Sequence, residues 1–202
     1  KRSKVMEQRI EKAIDEKTNL LKNIDRNDKL KIIPLTSNKN PLISINKLQI
    51  KYNDEAIFNP ITFEVNNGEI FGLLGANGAG KTTTFRIIMS LLEPSKGNVT
   101  LNDEKINYDT MEKIGFVTEE RSLLTRMTVK EQILFYGKLK GMTEKDILDK
   151  LNYWLKKFDI EEYLNRKIKE LSKGNQQKIQ FISAIINDPV LLILDEPFTG
   201  LD

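Results

Sequence analysis

The apolar positions of the chain follow two different periods. "LISINKLQIKY" (42–52) alternates apolar and polar residues, which predicts a half-buried strand, and "ITFEV" (61–65) before "NNG" predicts a strand and a turn. The continuous apolar runs "EIFGLLG" (69–75) and "VLLIL" (190–194) predict strands that are covered on both faces. "NVTLND" (98–103) predicts a further short strand.

Between these strands, apolar residues recur at the spacing of an α-helix. "TTTFRIIMSLL" (82–92) predicts one helix. In the middle of the chain, a capping box at 128–131 opens a second helix and Gly141 is placed to end it. Thr143 can cap a third helix, and a fourth is predicted within 173–189. The pattern therefore predicts a mixed α/β fold.

The first 40 residues differ from the rest. Apolar residues at 3-and-4 spacing predict one amphipathic helix, and "PLTSNKNP" (34–41) predicts a linker. Residues 1–31 carry ten Lys/Arg and six Asp/Glu, a net +4, so residues 32–202 sum to −1 of the total +3. This helix is either solvated, or docks on a partner or an anionic membrane surface. The near-neutral remainder predicts no nucleic-acid partner.

The composition excludes several classes of site. With no Cys, the chain forms neither disulfides nor thiolate metal sites, which fits a reducing compartment. With no His, it lacks the commonest general base and metal ligand. No apolar run approaches the roughly 18–20 residues that span a bilayer, and there is no secretory leader, so we expect no membrane span in this chain.

A phosphate-binding loop is predicted at "GANGAGKT" (75–82), between an apolar strand and a helix. Glycines let backbone N–H groups curl around a phosphate, and the following helix directs its N-terminal dipole at the same anion. Lys81 is expected to reach the β/γ-phosphates and Thr82 to coordinate Mg²⁺. The alternative is a chance glycine-rich turn. The residues assigned to the nucleotide here are Gly75, Asn77, Gly78, Ala79, Gly80, Lys81, Thr82 and Thr83.

Two adjacent carboxylates, Asp195 and Glu196, follow the last predicted strand. Mg²⁺ that accompanies a nucleoside triphosphate needs a hard oxygen ligand near the phosphate loop, and Asp195 suits that role. Because successive side chains of an extended strand alternate faces, Glu196 is left to polarise the water that attacks the γ-phosphate. The alternative is a solvated acidic pair.

Three further stretches resemble the nucleotide-binding domain of ATP-binding-cassette (ABC) ATPases. "LSKGNQQK" (171–178) is similar to the family's signature loop, usually Leu-Ser-Gly-Gly-Gln, and "TGLD" (199–202) to the loop after the acidic pair. Tyr52 stands where the family keeps an aromatic that stacks on adenine. The resemblance covers 42–202. It implies an α/β fold in which a P-loop NTPase core carries a small antiparallel β subdomain and a helical subdomain at about 120–185, preceded here by the N-terminal helix.

The resemblance also implies how the nucleotide is held. In the family, each ATP lies between the phosphate loop of one chain and the signature loop of a second, in a head-to-tail dimer. The contacts implied on that second surface are Ser172, Gly174, Asn175 and Asp202. Lys173 replaces the family's first signature Gly, and is either solvated or adds charge near the phosphate of the other chain.

Glu119 marks a departure, because it stands where the family has a Gln that contacts Mg²⁺ and water. The implied metal ligands are therefore Thr82, Glu119 and Asp195, and the implied catalytic residues are Lys81, Glu119 and Glu196. Glu119 is followed by Glu-Arg, and together with "LSKGN" this is similar to the branch that serves bacterial efflux, for example sodium or antimicrobial export.

The function implied is that of the ATP-hydrolysing subunit of a membrane transporter, an exporter by its branch. ATP and Mg²⁺ are the expected ligands, and a membrane permease and a second ATP-binding subunit the expected partners. The chain would lie in the cytoplasm, on the inner face of the membrane through the permease. Two alternatives remain: an ATP-binding module that dimerises or regulates without efficient hydrolysis, and a non-transport ABC ATPase. The family's switch histidine follows "TGLD", so we expect a C-terminal part to be missing.

Overall fold

The computed structural model describes residues 40–53, 55–119 and 122–196. The predictions for residues 1–39 and for Asp202 lie outside this part of the chain. None of the described helices is both long enough and apolar enough to cross a bilayer.

Four antiparallel strands form one sheet in the order β4-β1-β5-β6. The strands predicted within 42–52, 61–65 and 98–103 are thereby confirmed. Their bounds are β1 (Ile43–Gln49), β4 (Ile61–Val65), β5 (Lys96–Leu101) and β6 (Glu104–Lys105). A separate two-stranded hairpin consists of β2 (Lys51–Tyr52) and β3 (Glu55–Ala56).

Strand β1 bulges in its middle, which sets the face that it buries. Ile45 and Leu48 lie three residues apart, yet both are fully buried because the pairing shifts between them and Lys47 takes a positive φ of 47°. Gly97 on β5 lies against this bulge. A Cβ at Gly97 would stand 2.4 Å from the carbonyl oxygens of Asn46 and Lys47, so the close approach of the two strands requires glycine.

The segment 69–75, predicted as a strand covered on both faces, is neither a strand nor buried. Ile70 is 100% exposed and Leu74 93% exposed. A strand needs hydrogen-bond partners along its edges, and no strand within the described ranges pairs with this segment. The apolar composition of residues 69–75 is therefore not sufficient to predict that they pair in a sheet.

The first helix, α1 (Lys81–Ile88), follows this segment directly. It ends four residues before the predicted limit, because Ser90 takes a positive φ of 53° and turns the chain. Ile87 and Ile88 pack into the same apolar cluster as strands β1 and β5, so the antiparallel sheet supports the helix that follows the phosphate loop.

The remaining strands form a parallel pair whose connection contains most of the helices. Strands β7 (Ile114–Val117) and β8 (Leu191–Leu194) run side by side, with Val117 opposite Leu194. β8 confirms the predicted strand at 190–194, although Leu194 is 39% exposed. A one-turn helix, α2 (Tyr108–Met111), precedes β7; between β7 and β8 lie α3 (Val129–Leu139), α4 (Glu144–Lys157), two 3₁₀ turns (Glu161–Tyr163 and Ile168–Glu170) and α5 (Lys173–Ile185).

The predicted starts of helices α3, α4 and α5 are confirmed, whereas α5 ends at Ile185, before the predicted stop at Pro189. Thr128 and Glu131 exchange both capping-box hydrogen bonds at the start of α3, and Gly141 follows its end with a φ of 72°. Helices α3, α4 and α5 enclose their own apolar cluster, formed by Val129, Ile133, Ile147, Leu151, Leu155, Ile160, Ile168, Leu171, Ile179, Ile182 and Ile186.

Gly115 permits α5 to pack closely against β7. A Cβ at this position would lie 2.6 Å from the Ala184 carbonyl oxygen and 2.9 Å from Pro189 Cγ. We expect Gly115→Ala to lower the free energy of unfolding by about 1–3 kcal/mol, because backbone atoms must move to admit the methyl group. Urea unfolding measures this effect. The matched control is Gly72→Ala, whose Cβ would meet no atom within 4 Å; an equal loss in both variants would contradict the packing argument.

Candidate nucleotide-binding site

The phosphate loop turns sharply where its glycines stand. Gly78 and Gly80 take φ values of 82° and 91°, in the left-handed region that favours glycine. Gly80 is also the N-cap of α1 and has no side chain to cap it. The first N–H groups of this helix are therefore not satisfied by a side-chain cap at Gly80, and they lie where the motif predicts an anion.

Phe58 packs against this turn, a contact that the sequence did not reveal. A Cβ on Gly80 would lie only 2.5 Å from Phe58 Cδ1. Phe58 follows the hairpin β2–β3, on which Tyr52 lies. Its ring therefore bridges this hairpin and the start of α1. Tyr52 itself is 74% exposed, which leaves its ring free to stack on a base. Phe58 precedes "ITFEV" at no spacing that would mark it in the sequence. Its role becomes visible only from its contact with the glycine turn.

Lys81 lies between its own loop and the acidic pair. Its Nζ donates hydrogen bonds to the carbonyl oxygens of Gly75 (2.9 Å) and Ala76 (3.2 Å). The same Nζ is 3.9 Å from Glu196 Oε1, and the Lys81 side chain is only 18% exposed. The fold thus brings together two predicted catalytic residues that lie 115 positions apart in the sequence.

Asp195 occupies a buried position at the end of the parallel pair. It is 3% exposed, and its backbone N–H donates to the Val117 carbonyl oxygen at 2.9 Å. Glu196 then takes a positive φ of 46°, which turns the chain, so the two carboxylates need not follow the simple alternation of a strand.

The residues present at this end of the sheet fit a magnesium ion. Asp195 is only 3% exposed, and burying a carboxylate is costly unless a paired charge or a bound cation offsets that cost. No group of three or more acidic side chains that could hold a metal occurs among the described residues. Mg²⁺ bound with a nucleotide needs only one or two carboxylates, because phosphate and water oxygens complete its octahedron. Asp195 and the hydroxyl of Thr82 suit this arrangement.

Glu119 lies at the same end of the parallel pair. It is the second residue after β7, and the β7–β8 register places the chain ends after Val117 and Leu194 side by side. Its side chain is exposed. The topology thus places Glu119 just beyond the end of β7, the strand that pairs with β8, and Asp195 directly follows β8.

The signature residues occupy the N-terminus of α5. Ser172 caps this helix, its Oγ accepting from the Asn175 N–H at 3.3 Å, and a Cβ on Gly174 would meet nothing within 4 Å. Near this terminus, a hydrogen bond with the Glu162 carboxylate raises the pKa of Tyr163, and Asn175 acts in the opposite direction. Lys173 is exposed, which favours its solvated role. No hydrogen bond or ion pair within the described ranges joins these residues to the phosphate loop.

The family model for the ABC transporter matches residues 58–199, well over half of the chain. The chain belongs to the ABC transporter ATP-binding family. The resemblance and the predicted fold class are thus confirmed, and membership implies nucleotide binding.

Several ABC transporter proteins of known sequence or structure are similar to this chain. The uncharacterised ABC transporter ATP-binding protein YhaQ of Bacillus subtilis is 45% identical over 161 residues, which are 80% of this chain and 54% of YhaQ. The ABC transporter ATP-binding protein NatA of the same organism is 38% identical over 150 residues, 70% of this chain and 59% of NatA. This ABC chain therefore spans between half and three-fifths of the length of these relatives.

Two solved structures share the fold of this ABC chain. An ATP-binding subunit of an ABC transporter superposes with a TM-score of 0.72 at 30% identity, covering 79% of this chain and 68% of that one. CbiO1 from Clostridium perfringens, described as part of the ABC transporter complex cbiONQ, gives a TM-score of 0.72 at 27% identity, covering 81% and 68%.

Proposed function

We propose that this chain binds ATP with Mg²⁺ at its phosphate loop and hydrolyses it to drive a membrane transporter. The observation that carries the proposal is the approach of Lys81 Nζ to within 3.9 Å of Glu196 Oε1. A phosphate-loop lysine binds the β/γ-phosphates, and a carboxylate beside it is placed at the γ-phosphate end of the nucleotide.

Each predicted residue of the nucleotide site then has a defined role. Lys81 exchanges the loop carbonyls for phosphate oxygens and so neutralises their charge. Glu196 accepts a hydrogen bond from the attacking water and orients it. Thr82, Asp195 and Glu119 would hold Mg²⁺, which when bound would supply positive charge that offsets the charge of the phosphates. Tyr52 offers its exposed ring to the adenine.

The signature residues act on the nucleotide of a second chain. Ser172, Gly174 and Asn175 make no bond to the phosphate loop of their own chain in the described ranges, and their helix N-terminus suits a phosphate. ATP between the two chains therefore favours association, and hydrolysis releases it by linkage. Asp202 is assigned to the same interface by its motif alone.

We expect an ATP-dependent dimer in the Glu196→Gln background, where turnover is slow. Adding Gly174→Asp should abolish the dimer and leave ATP binding by the monomer unchanged, because the new carboxylate faces the phosphate of the other chain while its Cβ has room. Size-exclusion chromatography with light scattering measures this.

The matched control for this test is Lys145→Asp. Lys145 is exposed and is the second residue of α4, just as Gly174 is the second residue of α5. The control should still dimerise with ATP. A dimer that persists in the Gly174→Asp variant would rule out the signature contact.

The transporter assignment draws on the relatives and on the resemblance. CbiO1 is described as part of a transporter complex, and by analogy we assign this chain a permease partner and a place on the inner membrane face. The efflux-type sequence at Glu119 and in the signature loop favours an exporter. Co-purification of tagged protein with a membrane subunit tests this assignment.

One observation favours the alternative of a binding module with inefficient hydrolysis. Residues 69–75, which lead into the phosphate loop, lie outside any sheet. A loop that is less firmly supported binds phosphates yet positions them poorly for attack. Phosphate release at saturating ATP separates the two functions: multiple turnovers support the enzyme, and binding without turnover supports the module.

A further inference from the structure

Two glutamines are buried away from the proposed nucleotide contacts. Gln132 on α3 is 0% exposed and Gln180 on α5 is 6% exposed. A buried amide is costly unless its donors and acceptor are satisfied. Both side chains bond to the connection between β7 and α3. Gln180 bonds to Thr118, before Glu119, and Gln132 bonds to Leu124, after it.

Gln180 binds the residue directly before Glu119. Its Nε2 donates to the Thr118 carbonyl oxygen at 3.0 Å and lies 3.2 Å from Thr118 Oγ1. The last backbone bond between β7 and β8 runs from the Asp195 N–H to the Val117 carbonyl. The next carbonyl along the chain, that of Thr118, accepts from the Gln180 side chain.

Thr118 also contacts Ser122, which is bonded to α3. Its Oγ1 lies 2.9 Å from Ser122 Oγ, and the Tyr136 hydroxyl donates to the Ser122 carbonyl at 3.1 Å. Thr118 is thus tied to α5 through Gln180 and to α3 through Ser122. The position of the Glu119 backbone, one peptide further on, follows from that of Thr118.

We propose that Gln180 is a positioning residue for Glu119 and that it links the signature end of α5 to the metal end of the site. Ser172 and Gln180 stand on one continuous helix, about 12 Å apart at 1.5 Å per residue. A shift of α5 on contact with the other chain's nucleotide therefore displaces Thr118 and Glu119 together. The inference rests on the proposed function, since it gives Glu119 its role at Mg²⁺.

The test compares ATP affinity in excess Mg²⁺ and in EDTA. Gln180→Met keeps the volume of the side chain and removes its amide. Loss of a direct outer-shell partner of a metal ligand costs about 10–100-fold in metal affinity. Because Gln180 bonds to the residue before Glu119, we expect the lower end of that range. We expect the ratio of the two ATP affinities to fall about tenfold in the complete chain, with the affinity in EDTA within about twofold of wild type.

Gln132→Met is the matched control. Gln132 is also buried, and its side chain accepts from the Leu124 N–H at 2.8 Å and donates to Ser183 Oγ at 3.2 Å. Neither bond touches Thr118. This variant should lose stability but keep the wild-type ratio. An equal fall in both variants would show general loosening and overturn the inference, as would an unchanged ratio in folded Gln180→Met.

A second variant covers the case in which Gln180→Met does not fold. Thr118→Val removes the hydroxyl that meets Gln180 and Ser122 and keeps the carbonyl, so a smaller fall of about threefold is expected, and no fall overturns the inference. The Mg²⁺ dependence of ATP affinity in the wild-type protein distinguishes failure of this inference from failure of the proposed function. If wild-type ATP affinity does not respond to Mg²⁺, both fail; if it responds and Gln180→Met matches it, only the present inference fails.

Discussion

Lys81→Ala should weaken ATP binding at least 100-fold. The variant removes the one cation that the structure places inside the phosphate loop, and the loop's N–H groups alone must then hold the β- and γ-phosphates. Removing one partner of a buried, hydrogen-bonded charge pair costs about 3–5 kcal/mol, because the other charge is left unpaired. The effect should appear both in Mg²⁺ and in EDTA, because Lys81 contacts phosphate and not the metal. Isothermal titration with ATP measures it.

Lys138→Ala provides the control for the lysine variant. Lys138 also makes a short ion pair, with Glu144 at 2.8 Å, but both side chains are more than half exposed. Exposed pairs of this kind contribute little, so ATP affinity and stability should stay near wild type. Unchanged ATP affinity in Lys81→Ala would remove the phosphate loop from the account.

Glu196→Gln should stall hydrolysis while ATP still binds. The amide keeps the size of the side chain and its approach to Lys81, but it accepts a proton from water far less readily than a carboxylate. General-base catalysis contributes about 10²–10⁴-fold, and we expect phosphate release to fall by that factor in the complete transporter. Affinity for ATP should change by no more than a few-fold.

Asp195→Asn distinguishes the two neighbouring carboxylates. Because Asp195 is assigned to the metal, its loss should lower the Mg²⁺-dependent part of ATP affinity, an effect that Glu196→Gln should not share. Near-normal phosphate release in Glu196→Gln would exclude Glu196 as the residue that activates water. Equal loss of Mg²⁺-dependent binding in both variants would contradict their separate roles.

Local signals in the sequence predicted the elements that local interactions determine. The capping box of Thr128 and Glu131 and the terminal glycine at 141 act within a few residues, so the ends of α3 could be read directly. The phosphate loop is a similar case, since its glycines and Lys81 act in one short turn.

Features that depend on distant partners could not be predicted. The run 69–75 has the composition of a buried strand, but a strand forms only beside another, and its Ile70 and Leu74 are exposed in the structure. The roles of Phe58 and Gln180 could not be predicted for the same reason. Their roles arise from contacts with Gly80 and Thr118, 22 and 62 residues away in sequence, and no spacing rule connects such pairs.

The most direct test of the central claim is an equilibrium titration of the wild-type chain with ATP, with Mg²⁺ and with EDTA. We expect saturable binding of one ATP per chain, tighter with Mg²⁺, with half-saturation below about 1 mM, the upper end of typical enzyme KM values. Absence of saturable binding by folded protein up to about 1 mM ATP in both conditions would contradict the central claim.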